Sequence, residues 1–64
     1  MTMKTEPTLR DPDGFYEKLL DAQQGLDEQA LRLFNARLVL LLANQVGDDR
    51  TVEQCIDAAR RGIA

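Results

Sequence analysis

Residues 38–43, LVLLLA, are six consecutive apolar positions held between Arg37 and Asn44 in a chain of only 64 residues. A surface helix of a small domain needs one apolar stripe facing the core, about 100° wide. Six apolar residues in succession spread over every side of a helix. The run is too short to cross a bilayer, which takes about 20 residues. It therefore needs cover on more than one side, and the first question is what supplies that cover.

Length leaves few sources. Sixty-four residues make one domain, and a domain of this size buries only about 60% of its unfolded surface unless it is cross-linked or oligomeric. Cys55 is the sole cysteine, which excludes an internal disulfide, and the absence of histidine leaves no zinc-ligand set. No cofactor or metal is expected. Oligomerisation is the remaining way to complete a core.

The net charge of −3 and the sequence pI near 4.7 argue against nucleic acid as a partner, because phosphate binding needs a basic stripe. Phe15, Tyr16 and Phe34 are the only aromatic residues, too few for a stacking platform. The N-terminus has no apolar stretch of the signal-peptide kind, and a free thiol suits a reducing compartment. The expected location is the cytoplasm, with no membrane contact.

Residues 1–10, MTMKTEPTLR, lack periodicity and read as a disordered tail, with Leu9 the one residue suited to touch the body. From residue 11 to 64 the pattern is that of a single helical domain. Asp11, Pro12 and Asp13 open a first helix as N-cap, first-turn proline and dipole-compatible acid. Phe15, Tyr16, Leu19 and Leu20 form its apolar stripe, and Gly25 supplies a left-handed terminator. Asp27 caps a second helix that stops at Gly47. Asp48 or Asp49 caps a third, whose one face carries Val52, Cys55, Ile56, Ala59 and Ile63, with Arg60 and Arg61 at its negative end. The expected fold is all-α: three short antiparallel helices over about 12–24, 28–46 and 50–61, completing their core by oligomerisation.

At 100° per residue the second helix sorts into sides. Leu31, Phe34, Leu38, Leu41 and Leu42 form a broad face for the other two helices to cover. Glu28, Arg32 and Asn35 lie opposite and meet water. A third side holds Leu33, Arg37, Leu40 and Asn44, spaced four, three and four, in the manner of a narrow coiled-coil seam with polar residues at alternate positions. Either the neighbouring helices straddle widely enough to cover this seam while Arg37 extends its charge outward, or the seam meets its own copy in a two-fold dimer. Size and spacing together favour the dimer, and Leu33, Arg37, Leu40 and Asn44 are the candidate interface.

Catalytic chemistry finds little support. DPDGFYE opens like a calcium loop, but the positions that need glycine and glutamate hold Tyr16 and Ala22. Helix capping accounts for these acids, as it does for Asp48 and Asp49. Cys55, on an apolar helix face with no histidine to activate it, reads as a buried structural thiol. Six acids and one base between residues 11 and 28 form a solvated acidic face. The chain is not expected to be an enzyme.

The segments DPDGFYEKLLDAQQGLDEQ and LFNARLVLLLANQVGD, taken in tandem, resemble a family of small bacterial helical proteins, domain-of-unknown-function family 2783. The resemblance spans roughly Asp11 to Arg60. It implies a stand-alone helical protein in bacteria and assigns no activity and no site residues. Asn35, Arg37 and Asn44 remain candidates from helix geometry alone.

The reading best supported is a non-catalytic helical interaction protein, a homodimer that acts as an accessory subunit of a larger protein. The alternative is a small-ligand or regulatory module in which Arg37 and Asn44 hold an anion. A helix-turn-helix regulator is disfavoured, because the third helix begins with Asp48 and Asp49 where base-reading residues would sit. The acidity predicts no measurable binding to duplex DNA at physiological salt. A salt-dependent mobility shift at sub-micromolar protein would contradict it.

Overall fold

A computed structural model describes residues 3–63; Met1, Thr2 and Ala64, which end the expected tail and domain, lie outside that range. Three helices follow one another, α1 (Pro12–Gln23), α2 (Glu28–Val46) and α3 (Asp49–Arg60), and no strand occurs among the described residues. Against the expected spans, α1 ends one residue earlier and α3 is shifted one residue toward the N-terminus.

All three helices begin with the same device. The Asp11 carboxylate accepts from the Gly14 amide at 3.0 Å, Asp27 from the Ala30 amide at 2.8 Å, and Asp48 from the Thr51 amide at 3.0 Å. Each bond satisfies a donor that the first helical turn leaves without a partner. In α3 the Thr51 hydroxyl donates to the same Asp48 oxygen, which selects Asp48 over Asp49 as the cap. These two hydrogen bonds, the hydroxyl's first and the amide's second, hold the Asp48 carboxyl below its ordinary value of 3.8.

The two connections end their helices differently. Gly47 is a left-handed C-cap at φ 72° and ψ 12°, and its amide donates to the Ala43 carbonyl at 3.0 Å. After α1, Gln24 is extended (φ −64°, ψ 137°), Gly25 follows at φ 80°, and the Leu26 amide donates to the Gln23 carbonyl at 3.3 Å. That is a type II turn, in which glycine is needed at the third position. Gly25 thus takes the positive φ expected of it at the position directly after the C-cap Gln24, and there it completes the turn. The end of α3 repeats the turn through Arg61 and Gly62, closed by the Ile63 amide on the Arg60 carbonyl at 3.2 Å. The Arg60 guanidinium donates to the Ile63 carbonyl.

Local structure is therefore well specified, whereas tertiary burial is slight. Among the described residues no apolar side chain is buried, and Thr51, at 6% exposure, is the residue most withdrawn from water. Leu19 of α1 and Ala30, Leu31, Phe34 and Leu38 of α2 are half-buried, as are Ala43 of α2 and Val52 and Ala58 of α3. The covering face expected to include Leu41 and Leu42 is thus only partly covered. Val39, Leu40, Leu41 and Leu42 are exposed by 58%, 71%, 64% and 50%. Two twelve-residue helices reach only parts of a nineteen-residue one. Full burial of these four side chains would contribute roughly 4–7 kcal/mol that the single chain leaves unrealised.

Cys55, expected to be buried, is exposed, because the α3 face that carries it borders an open groove rather than a core. Leu9 is exposed as well and does not seat on the body. The N-terminal segment touches the fold elsewhere: the Met3 amide donates to Gln54 Oε1 of α3 at 2.9 Å, and Met3 is half-buried.

Asp27→Ala removes the cap of the longest helix and should lower stability by about 1 kcal/mol. Gly47→Ala should cost about 1–2 kcal/mol through backbone conformation alone, since the nearest atom to an added Cβ is 3.9 Å away. Denaturant titration at fixed protein concentration measures both. For Asp48, whose folded-state pKa is depressed, the stabilising contribution is present above pH 3.8 and is lost as pH falls through the lower folded value. The stability difference between the parent and Asp48→Asn should follow that course in acid titrations read by circular dichroism. A difference constant with pH would contradict it.

Candidate interaction surfaces

The turn at Gly47 brings α3 against α2. The half-buried residues Leu31, Phe34 and Leu38 mark one covered strip of α2, and Ala43 near its C-terminus marks another. Between these strips α2 presents two open surfaces.

The first is the predicted seam. Leu33, Arg37, Leu40 and Asn44 are all exposed, as is Asn35 on the neighbouring side. Neither α1 nor α3 straddles far enough to cover Leu33 and Leu40, so intrachain packing does not account for these leucines. Leu40 and Asn44 also border a shallow depression of about 570 Å³ with Ala43, Gly47, Asp48, Asp49, Val52 and Glu53. Three carboxylate side chains line it and Arg37 does not, so its field repels an anion. Arg37 and Asn44 share a side of the helix without forming a common pocket.

The second surface was only half visible in the sequence. A groove of about 610 Å³ runs between α2 and α3, bordered by Val39, Leu42, Ala43 and Val46 on one wall and Val52, Cys55, Ile56, Ala59 and Ile63 on the other. Arg60 is the one charged residue along it. Ala43 and Val52 line both this groove and the depression, so they form the ridge where α2 and α3 meet. The α3 wall is the apolar face read from the sequence, now found open. The α2 wall was missed because Glu28, Arg32 and Asn35 mark that side as wet. Val39 and Val46 occupy the same side further along, beside Leu42 at the edge of the broad face, so α2 changes from polar to apolar halfway down its length.

Charge plays a small part in either surface. Glu28 and Arg32 form an ion pair at 3.0 Å in which both side chains are largely solvated, and such pairs contribute about 0.3–0.5 kcal/mol. Among the described residues no group of three or more acidic or cysteine side chains is gathered into a cation cage, and no helix is long and apolar enough to cross a membrane. What these surfaces offer is apolar contact.

No curated protein and no solved structure matches the chain. A family model described as "Protein of unknown function (DUF2783)" matches residues 3–61. That span takes in all three helices, their aspartate caps and the α2 residues of both surfaces. By this match the chain belongs to domain-of-unknown-function family 2783.

Proposed function

We propose that this chain is a non-catalytic helical interaction protein of the bacterial cytoplasm. It completes its core against a second copy, with antiparallel helices in the finished assembly, and the dimer serves as an accessory subunit of a larger protein. The observation that carries this reading is the absence of any buried apolar residue among the described residues of a chain with three well-capped helices.

The magnitude of the exposed area supports this reading. The chain exposes 6012 Å², whereas a compact monomer of 7.2 kDa exposes about 4,100 Å². Counting the first ten residues as fully extended chain raises the expected figure to about 5,300 Å². The surplus is therefore roughly 700–1,900 Å² per chain, and a stable pairwise interface takes about 800 Å² from each partner. The Cα radius of gyration of 13.3 Å likewise exceeds the value of about 10.7 Å for a compact chain of this length.

Sedimentation equilibrium of the purified protein at micromolar concentration should return a mass at least twice 7.2 kDa. A monomer throughout a concentration series would overturn the dimer. The subunit role is tested by capture of the tagged protein from its own cells. A single stoichiometric partner supports it, and recovery of the chain alone contradicts it.

A further inference from the structure

The pairing proposed above leaves open which surface of α2 meets the second copy. We infer that the α2–α3 groove seats the second copy, in a two-fold arrangement, and that the Leu33–Arg37–Leu40–Asn44 seam stays outside that contact. This assignment rests on the dimer reading and makes it specific.

Composition separates the two surfaces. Interfaces between identical subunits are more apolar than the general surface, and charge is depleted from their centres. The groove joins eight apolar residues of two helices, and Ile63 just past the end of α3, with one arginine. The seam offers two leucines on one helix, alternating with Arg37 and Asn44. A pair formed through the seam would have to desolvate a guanidinium in each copy while leaving the groove open. A pair formed through the groove covers the larger apolar surface with one guanidinium per copy, that of Arg60, which already donates to the Ile63 carbonyl, and it leaves Arg37 in water.

Shape points the same way. A two-fold contact must be self-complementary, because the same patch supplies both sides. Ala43, Cys55 and Ala59 are small residues along the groove, whereas Ile56 and Ile63 on its α3 wall are exposed by 59% and 61%. The patch thus contains both projecting side chains and the small residues against which a copy of them can pack. The surplus area of roughly 700–1,900 Å² per chain brackets the half-interface of about 800 Å² that such a dimer needs. The seam is then the surface that remains for a different, more polar partner.

The test compares two charge insertions with the parent by sedimentation equilibrium. Ile56 is exposed in the single chain, so Ile56→Asp alters the groove without removing a buried contact. It should weaken association by about a hundredfold or more, through burial of an unpaired charge in each copy. Leu40→Asp should leave association within about twofold, as for a site outside the interface. Weakening by Leu40→Asp with none by Ile56→Asp would overturn the groove assignment while preserving the dimer. A parent that never associates would overturn the dimer itself.

Cys55 provides a readout on the unmodified protein, independent of how either variant folds. Its thiol should react with an aromatic disulfide reagent at the rate of a free thiol in dilute protein. At about a hundredfold above the dissociation constant, the rate should fall about tenfold as the monomer fraction falls. A rate independent of concentration in a protein that associates would place Cys55, and the groove, outside the interface.

Discussion

The fold depends on a mismatch between how much apolar surface α2 carries and how much its neighbours can cover. α2 has nineteen residues and an apolar run that turns through every direction, while α1 and α3 have twelve residues each. Each short helix shields part of one side. What stays open on α2 amounts to several kcal/mol of unrealised burial, comparable to the whole stability of a small domain, about 5 kcal/mol. Helix formation in a chain this short depends mainly on packing an amphipathic face rather than on intrinsic propensity. The three aspartate caps fix where the helices begin, and the apolar surfaces of α2 and α3 determine how they are held.

Much of the local structure was legible because its causes are local. A carboxylate three residues ahead of a free amide is a short-range pattern: Asp11 and Asp27 act as read, and Asp48 takes the role the sequence leaves open between it and Asp49. Gly47 behaves as expected for the same reason. Gly25 takes the positive φ read for it just past the end of α1, while the type II turn it completes depends on the extended backbone of Gln24, which the residue type does not dictate.

Burial was harder to read, because it depends on where helices cross. Leu41 and Leu42 belong to the face read as covered by α1 and α3, but a helix wheel has no height coordinate. It cannot show that a twelve-residue helix covers only part of that face. The same limit placed Cys55 in a core: its neighbours Val52, Ile56 and Ala59 do form an apolar face, but in one chain that face borders an open groove. It also hid the groove's other wall, since Val39 and Val46 lie on a side that is polar near the start of α2. The seam at Leu33, Arg37, Leu40 and Asn44 was identified from spacing within one helix; the groove needs two helices to exist.

Membership in family 2783 fits a chain whose distinctive residues are structural. The caps, the turn glycines and the apolar run together define a helical unit with more apolar surface than it can bury alone. The central claim, that the core is completed between chains, is tested most directly by thermal unfolding followed by circular dichroism over a wide range of protein concentration. If folding and assembly are coupled, the melting temperature rises steadily with concentration, as mass action requires when only the native state associates. A sharp, cooperative transition at one temperature regardless of concentration would mean that the single chain holds its own core, and would contradict the account.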